Sequence, residues 1–271
     1  MSIDRARYRT VVLFGKEHSH SVAEPERFTS ILNALATIIE PACPDLRVRG
    51  RIEGFRAKNV APREAAWAAS SAARWRNSLA LGRFVAFEMF GPRWSNHEMP
   101  LVYASACKIW GYGPDGHTER TRHGAENSVT VAIAHDVDTS QGKWVDQCAQ
   151  SLGGLTEAFY GFAEGMVPWG RPLTPGSGTY TYTIDMRWHD IPGGPYRRGK
   201  YSMDEFAAGV YWGNLWSQAH FRVKPSDLSP DQVDTVSQIG DAVYVRFRKD
   251  PEQDSQLRAQ LEAMFNLVPS E

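Results

Sequence analysis

The chain has 271 residues, with 30 Lys and Arg against 31 Asp and Glu, a formal charge of -1 and 42% hydrophobic residues. That length suits one large domain or two closely packed ones, and the proportions are those of a folded globular protein, which excludes a disordered chain. Balanced charge argues against two more classes: a polyanion binder carries a basic excess, and no acidic block is present that could imitate nucleic acid by bulk charge.

The first ten residues read MSIDRARYRT, and no apolar run behind their arginines makes a secretory signal peptide. Nor does any later stretch reach the roughly 18 apolar residues of a membrane span, so a cytoplasmic protein without a membrane partner is expected. Cys43, Cys107 and Cys148 are odd in number and far apart, as suits buried reduced thiols and not a disulfide framework or a CxxC metal site. Nine tryptophans are the one compositional excess.

Thr10–Phe14 (TVVLF) is a short apolar β run, followed by a polar loop with His18 and His20. Phe28, Ile31, Leu32, Leu35, Ile38 and Ile39 then recur at helical spacing, with Pro25 in the first turn and Pro41 at the end. Next come a segment from Leu46 to Gly54, an Ala-rich stretch read as a helix from Pro62 through Trp67 and Trp75, and β-prone runs at Arg83–Phe90 and Leu101–Trp110.

The opening order then returns. Ser128–Ala134 reads as a strand, Asp136–Gly142 as a polar loop, and Lys143–Met166 as a long amphipathic helix whose stripe is Val145, Cys148, Leu152, Leu155, Phe159, Phe162 and Met166. Gly153 and Gly154 interrupt that stripe and predict a bend or a close contact. Strand, loop, helix thus occurs twice, which suggests two similar halves, 1–126 and 127–271, in one compact unit.

Pro168–Gly178 reads as a crossover and Thr179–Met186 (TYTYTIDM) as an alternating strand. Trp188–Tyr201 is an exposed loop, and Ser202–Glu205 has the capping-box form that opens a short helix. Val210–Trp216 and Ala242–Arg248 are β runs, and Leu257, Leu261, Met264 and Phe265 mark a terminal helix. The class is α+β, with mixed or antiparallel sheets packed against amphipathic helices.

Chemistry-bearing motifs are few. His18 and His20, flanked by Glu17 and Glu24, have metal-ligand spacing, and His135, Asp136 and Asp138 resemble the adjacent His-Asp pair of metal phosphohydrolases. These three residues define an alternative reading, a metal-dependent hydrolase. His117, Glu119 and His123 sit in a Gly-rich connection, and PGSGTY lacks the following helix that a phosphate loop needs. No Walker, GxSxG, HExxH or GxGxxG pattern occurs, and Cys43 is followed by proline, so no catalytic set and no cofactor site emerges. The distinctive stretch is Arg187, Trp188, His189, Tyr196, Arg197, Arg198, Lys200 and Tyr201. Arg and aromatic side chains on a Gly-Pro loop are the makings of an interaction hot spot, and this basic-aromatic interleaving also suits single-stranded nucleic acid. Of these, Trp188, His189, Tyr196, Arg197, Arg198 and Tyr201 are the candidate partner-binding residues.

The stretch Gly209-Val210-Tyr211-Trp212-Gly213-Asn214-Leu215, the later Gly240–Val245 run, the LRAQLEAMF helix and the NSVTVAI strand resemble bacterial immunity proteins of type VI secretion and polymorphic toxin systems. The likeness is to the family called immunity protein fifty-two, and its sharpest part is GVYWGN. It implies a protein without enzymatic activity that binds and neutralises a cognate secreted toxin by stoichiometric occlusion. The implied partner is a restriction-endonuclease-like DNase, with no direct contact to nucleic acid. Near-neutral charge departs from the acidic habit of many nuclease inhibitors, so recognition by shape and aromatic anchoring is expected.

Overall fold

The computed structural model describes residues 8–16, 25–52, 64–67, 84–91, 101–108, 125–140, 142–164, 205–207, 209–251 and 253–267. Its frame is a ten-stranded sheet in which every neighbouring pair is antiparallel. In chain order the elements are β1 (Tyr8–Lys16), α1 (Pro25–Ile39), β2 (Arg47–Ile52), β3 (Glu64–Ala66), β4 (Phe84–Phe90), β5 (Val102–Lys108) and β6 (Ala125–Ala134). A helix α2 follows, built from an α turn (Lys143–Gln147), a π segment (Cys148–Leu152) and a last α turn (Gly153–Leu155). β7 (Ala158–Glu164), β8 (Gly213–Ser217), β9 (Val233–Ile239), β10 (Ala242–Phe247) and α3 (Ser255–Glu262) complete the set. The spatial order is β3-β2-β4-β5-β6-β1-β7-β8-β10-β9, which makes the class α+β.

β1 shows why an unbroken apolar run sits at the centre. Its successive side chains alternate between faces. Val11 and Leu13 pack under α1 and α2, with Ile31, Leu35, Val145 and Leu152, while Val12 and Phe14 pack on the other face with Phe162, Trp216, Leu261 and Phe265. A strand buried on both sides has no polar face to show, so TVVLF needs no alternation.

β1 lies between β6 and β7, so the sheet runs unbroken across residues 126 and 127. β1 and β6 are antiparallel neighbours in register at Val11 and Val131, and each is followed along the chain by a helix, α1 or α2. Their continuations differ. After α1 the chain goes to β2, far from the centre, and works inward, whereas after α2 it goes to β7, beside β1, and works outward.

Three element boundaries differ from those expected. The long helix from Lys143 to Met166 ends at Leu155, and Ala158–Glu164 is a strand. Its stripe switches period at the turn: Thr156 Oγ1 donates to the Leu152 carbonyl at 2.8 Å, and Glu157 takes a left-handed φ of 48° that no helix continues through. In β7 the bulky Tyr160 and Phe162 face one side, while Gly161 and Ala163 alternate with them. Gly161 is needed opposite Leu13, since a Cβ there would stand 2.7 Å from Leu13 Cδ2. Gly153 makes the predicted close contact, its Cβ position lying 3.0 Å from Ile239 Cγ2.

The helix expected from Pro62 is contradicted at its start, where Glu64–Ala66 pairs with β2 and Trp67 N–H donates to the Leu46 carbonyl at 2.8 Å. Pairing with a strand edge overrides the helix propensity of alanine there. Glu205 leads to a bridge between Ala207 and Leu267 instead of a short helix. β9 had no counterpart among the expected strands.

Cys148 is buried and free, and Cys43 is half-buried and free; burial pushes both thiols up from their ordinary value. Among the described residues no helix is long and apolar enough to cross a membrane.

Candidate functional site

The polar chemistry of the described residues gathers where α2 begins, against the ends of β1 and β10. Asp138 organises the approach. Its carboxylate accepts from Ser140 N–H at 3.0 Å, Ser140 Oγ at 2.8 Å, Gly142 N–H at 2.9 Å and Trp144 Nε1 at 3.1 Å. Short polar side chains favour such local closures at helix starts, where backbone donors lack helical partners. Gly142 then turns the chain with φ 85°.

Arg9 lies over this turn. Its guanidinium stands 3.8 Å from the Trp212 ring centroid, and a Cβ on Gly142 would come within 2.7 Å of Arg9 Nη1 and 3.1 Å of Trp212 Cη2. Burial lowers the Arg9 pKa, against the opposing charges of Asp138 and Asp250. Arg246 reaches the same indole, 5.1 Å from its centroid.

Arg246 is a heavily engaged cation. Its Nε and Nη2 donate to the two oxygens of Asp146 at 2.8 and 3.0 Å, and Nη2 also meets Asp234 at 2.6 Å and Thr235 Oγ1 at 3.2 Å. A bidentate guanidinium–carboxylate pair is both directional and strong for its size. A bulge places Asp234: Thr235 pairs with Arg246 and Val233 with Phe247, which leaves Asp234 unmatched and turned toward the cation. Tyr244 O–H donates to Asp146 at 2.8 Å. Burial, then the charge and hydrogen bond of Asp146, push the Tyr244 phenol far above its ordinary value. For Arg246 burial acts downward, but the hydrogen bond and charge of Asp146 outweigh it and the pKa is raised. Asp146 lies in the first turn of α2, where the helix dipole favours a negative charge.

The GVYWGN stretch takes its shape from this surround. Asn214 is fully buried, and its side-chain amide closes on the Tyr211 backbone, accepting from Tyr211 N–H at 2.9 Å and donating to the Tyr211 carbonyl at 2.8 Å. Tyr211 stacks on Phe162 with centroids 4.7 Å apart, Trp212 takes the guanidiniums, and Gly213 opens β8 with its Cβ position 3.0 Å from Ala163 Cβ. Val210–Trp212 of the expected β run therefore precede the strand, which begins at Gly213. The residues that carry the family resemblance serve packing.

Chemically, the cluster is a set of matched charges that ties α2 to β1, β8 and β10. Its carboxylates accept from donors of the same fold. A separate surface groove of about 210 Å³, lined by Asp231, Arg248, Lys249 and Asp254 among others, mixes both signs of charge.

The candidate partner-binding residues Trp188, His189, Tyr196, Arg197, Arg198 and Tyr201 lie outside the described residues, as do His18, His20, His117, Glu119 and His123. His135 and Asp136 are exposed on a single 3-10 turn (His135–Val137), and Asp138 is engaged in the turn before α2. Among the described residues no group of three or more His, Cys, Asp and Glu side chains is placed to hold a metal ion. Among the described residues His135, Asp136 and Asp138, the set of the alternative metal-dependent hydrolase, thus form no shared centre.

Reading residues alone missed the Arg9, Asp146 and Arg246 cluster. The signal was present: in YRTVVLF, Arg9 shares a face with Val11 and Leu13, and a charge at a core-facing strand position needs partners.

No protein-family model matches the sequence, and no curated protein matches it. In fold the chain is similar to a solved structure, "Pseudomonas aeruginosa T6SS protein PA0821", with a TM-score of 0.51 and 12% sequence identity. That likeness covers 89% of this chain and 64% of the other, so this chain spans less than two thirds of that protein.

Proposed function

We propose that this protein is an immunity protein that binds and neutralises a cognate secreted toxin, a nuclease effector of a type VI secretion system, by stoichiometric occlusion. The observation that carries this reading is the fold likeness to a type VI secretion protein over 89% of the chain. The engagement of Asp138 and Asp146 in holding the fold supports a binding role over a catalytic one.

The toxin is a restriction-endonuclease-like DNase acting in the cytoplasm, where the immunity protein meets it without a cofactor. The contact is the stretch bearing Trp188, His189, Tyr196, Arg197, Arg198 and Tyr201, since Trp, Tyr and Arg dominate hot spots and one charge-balanced chain cannot plug a basic cleft by bulk charge. A stable interface would bury about 800 Å² per partner.

Co-expression tests the reading. Cells making the product of the adjacent reading frame should stop growing and lose DNA integrity, and this protein should restore both while eluting with the toxin at one-to-one stoichiometry. Failure to rescue, with the folded protein present at equal or higher level, would refute it.

A further inference from the structure

We draw no further inference here: the strongest candidate, the half-buried Arg9 guanidinium on the Trp212 indole beside the start of α2, belongs to the charged cluster already described, and the opposing charges of Asp138 and Asp250 leave it no excess positive charge to recruit an anion.

Discussion

The guanidinium of Arg9 stands 3.8 Å from the Trp212 ring centroid, and Arg246 shares that indole at 5.1 Å. Residues from β1, from the approach to β8 and from β10 therefore meet at one side chain that is 9% exposed. Trp212→Ala should remove both cation–π contacts together with packing against the helix-covered face, a loss of about 3–5 kcal/mol in urea unfolding. Trp212→Phe keeps a smaller ring and should lose roughly half as much. A cost below about 1 kcal/mol for the alanine variant would deny the indole this bridging role.

Gly142 makes the same contact possible from below. Ala at this position meets a φ of 85° and places its Cβ within 2.7 Å of Arg9 Nη1. The backbone penalty is about 1–2 kcal/mol, and the displacement of Arg9 adds to it. In an Arg9→Ala background the clash with Arg9 is gone while the 3.1 Å approach to Trp212 Cη2 stays, so Gly142→Ala should cost less there by about 0.5–1 kcal/mol. Strict additivity in this double-mutant cycle would place Arg9 away from the turn.

How much of this was legible in the sequence depends on the range of the forces involved. α1, β1, β6 and β10 follow from local periodicity and from Pro25 and Pro41, and the structure places them where that pattern predicts. β7 was hidden because Phe159 and Phe162 extend the three-and-four spacing of Val145, Cys148 and Leu152 past the point where Thr156 and Glu157 end the helix. β9 was hidden because its half-exposed edge carries polar residues at inward positions such as Thr235 and Ser237. Its Gly240-Asp241 turn was nonetheless a hairpin signal, with φ 57° at Gly240. The charged cluster was the least legible part. Asp146 and Arg246 are 100 residues apart, and only the fold brings a helix start and a late strand to within 2.8 Å.

Asp146 carries the largest predicted electrostatic cost. Asp146→Asn keeps the volume but leaves Arg246, whose side chain is 15% exposed, with Asp234 as its carboxylate. Because both partners retain some solvent access, a loss of about 2–3 kcal/mol is expected, below that of a fully buried pair. Asp146→Asn combined with Arg246→Met should lose less than the sum of the two single changes, which chemical denaturation can measure.

Tyr244 predicts a dependence on alkaline pH. Its phenol is pushed up by burial and by Asp146, whereas in the unfolded chain it titrates near the ordinary value of about 10. Below that value both states hold the proton and pH has no effect through this group. Above it the unfolded chain releases a proton that the folded chain retains, so stability should fall as pH rises from about 10. Tyr244→Phe should flatten this slope while costing about 1–3 kcal/mol at neutral pH for the lost hydrogen bond to Asp146. An unchanged slope in the variant would assign the alkaline transition to another group.

The Trp188 and Arg197 stretch can be separated from the Trp212 cluster by what each change disturbs. If that stretch is the toxin contact, Trp188→Ala or Arg197→Ala should weaken the purified complex by about 2 kcal/mol or more, about thirtyfold in Kd, measured by calorimetry. Trp212→Phe gives the opposite pattern: it should lower the urea midpoint, because its contacts are to Arg9 and Arg246 of its own chain, and leave the affinity of the folded protein unchanged. Wild-type affinity for both variants would exclude the stretch as the hot spot. A loss of affinity in Trp212→Phe as large as in Trp188→Ala would instead move the contact onto the charged cluster, where Arg9 and Asp234 would become the next residues to replace.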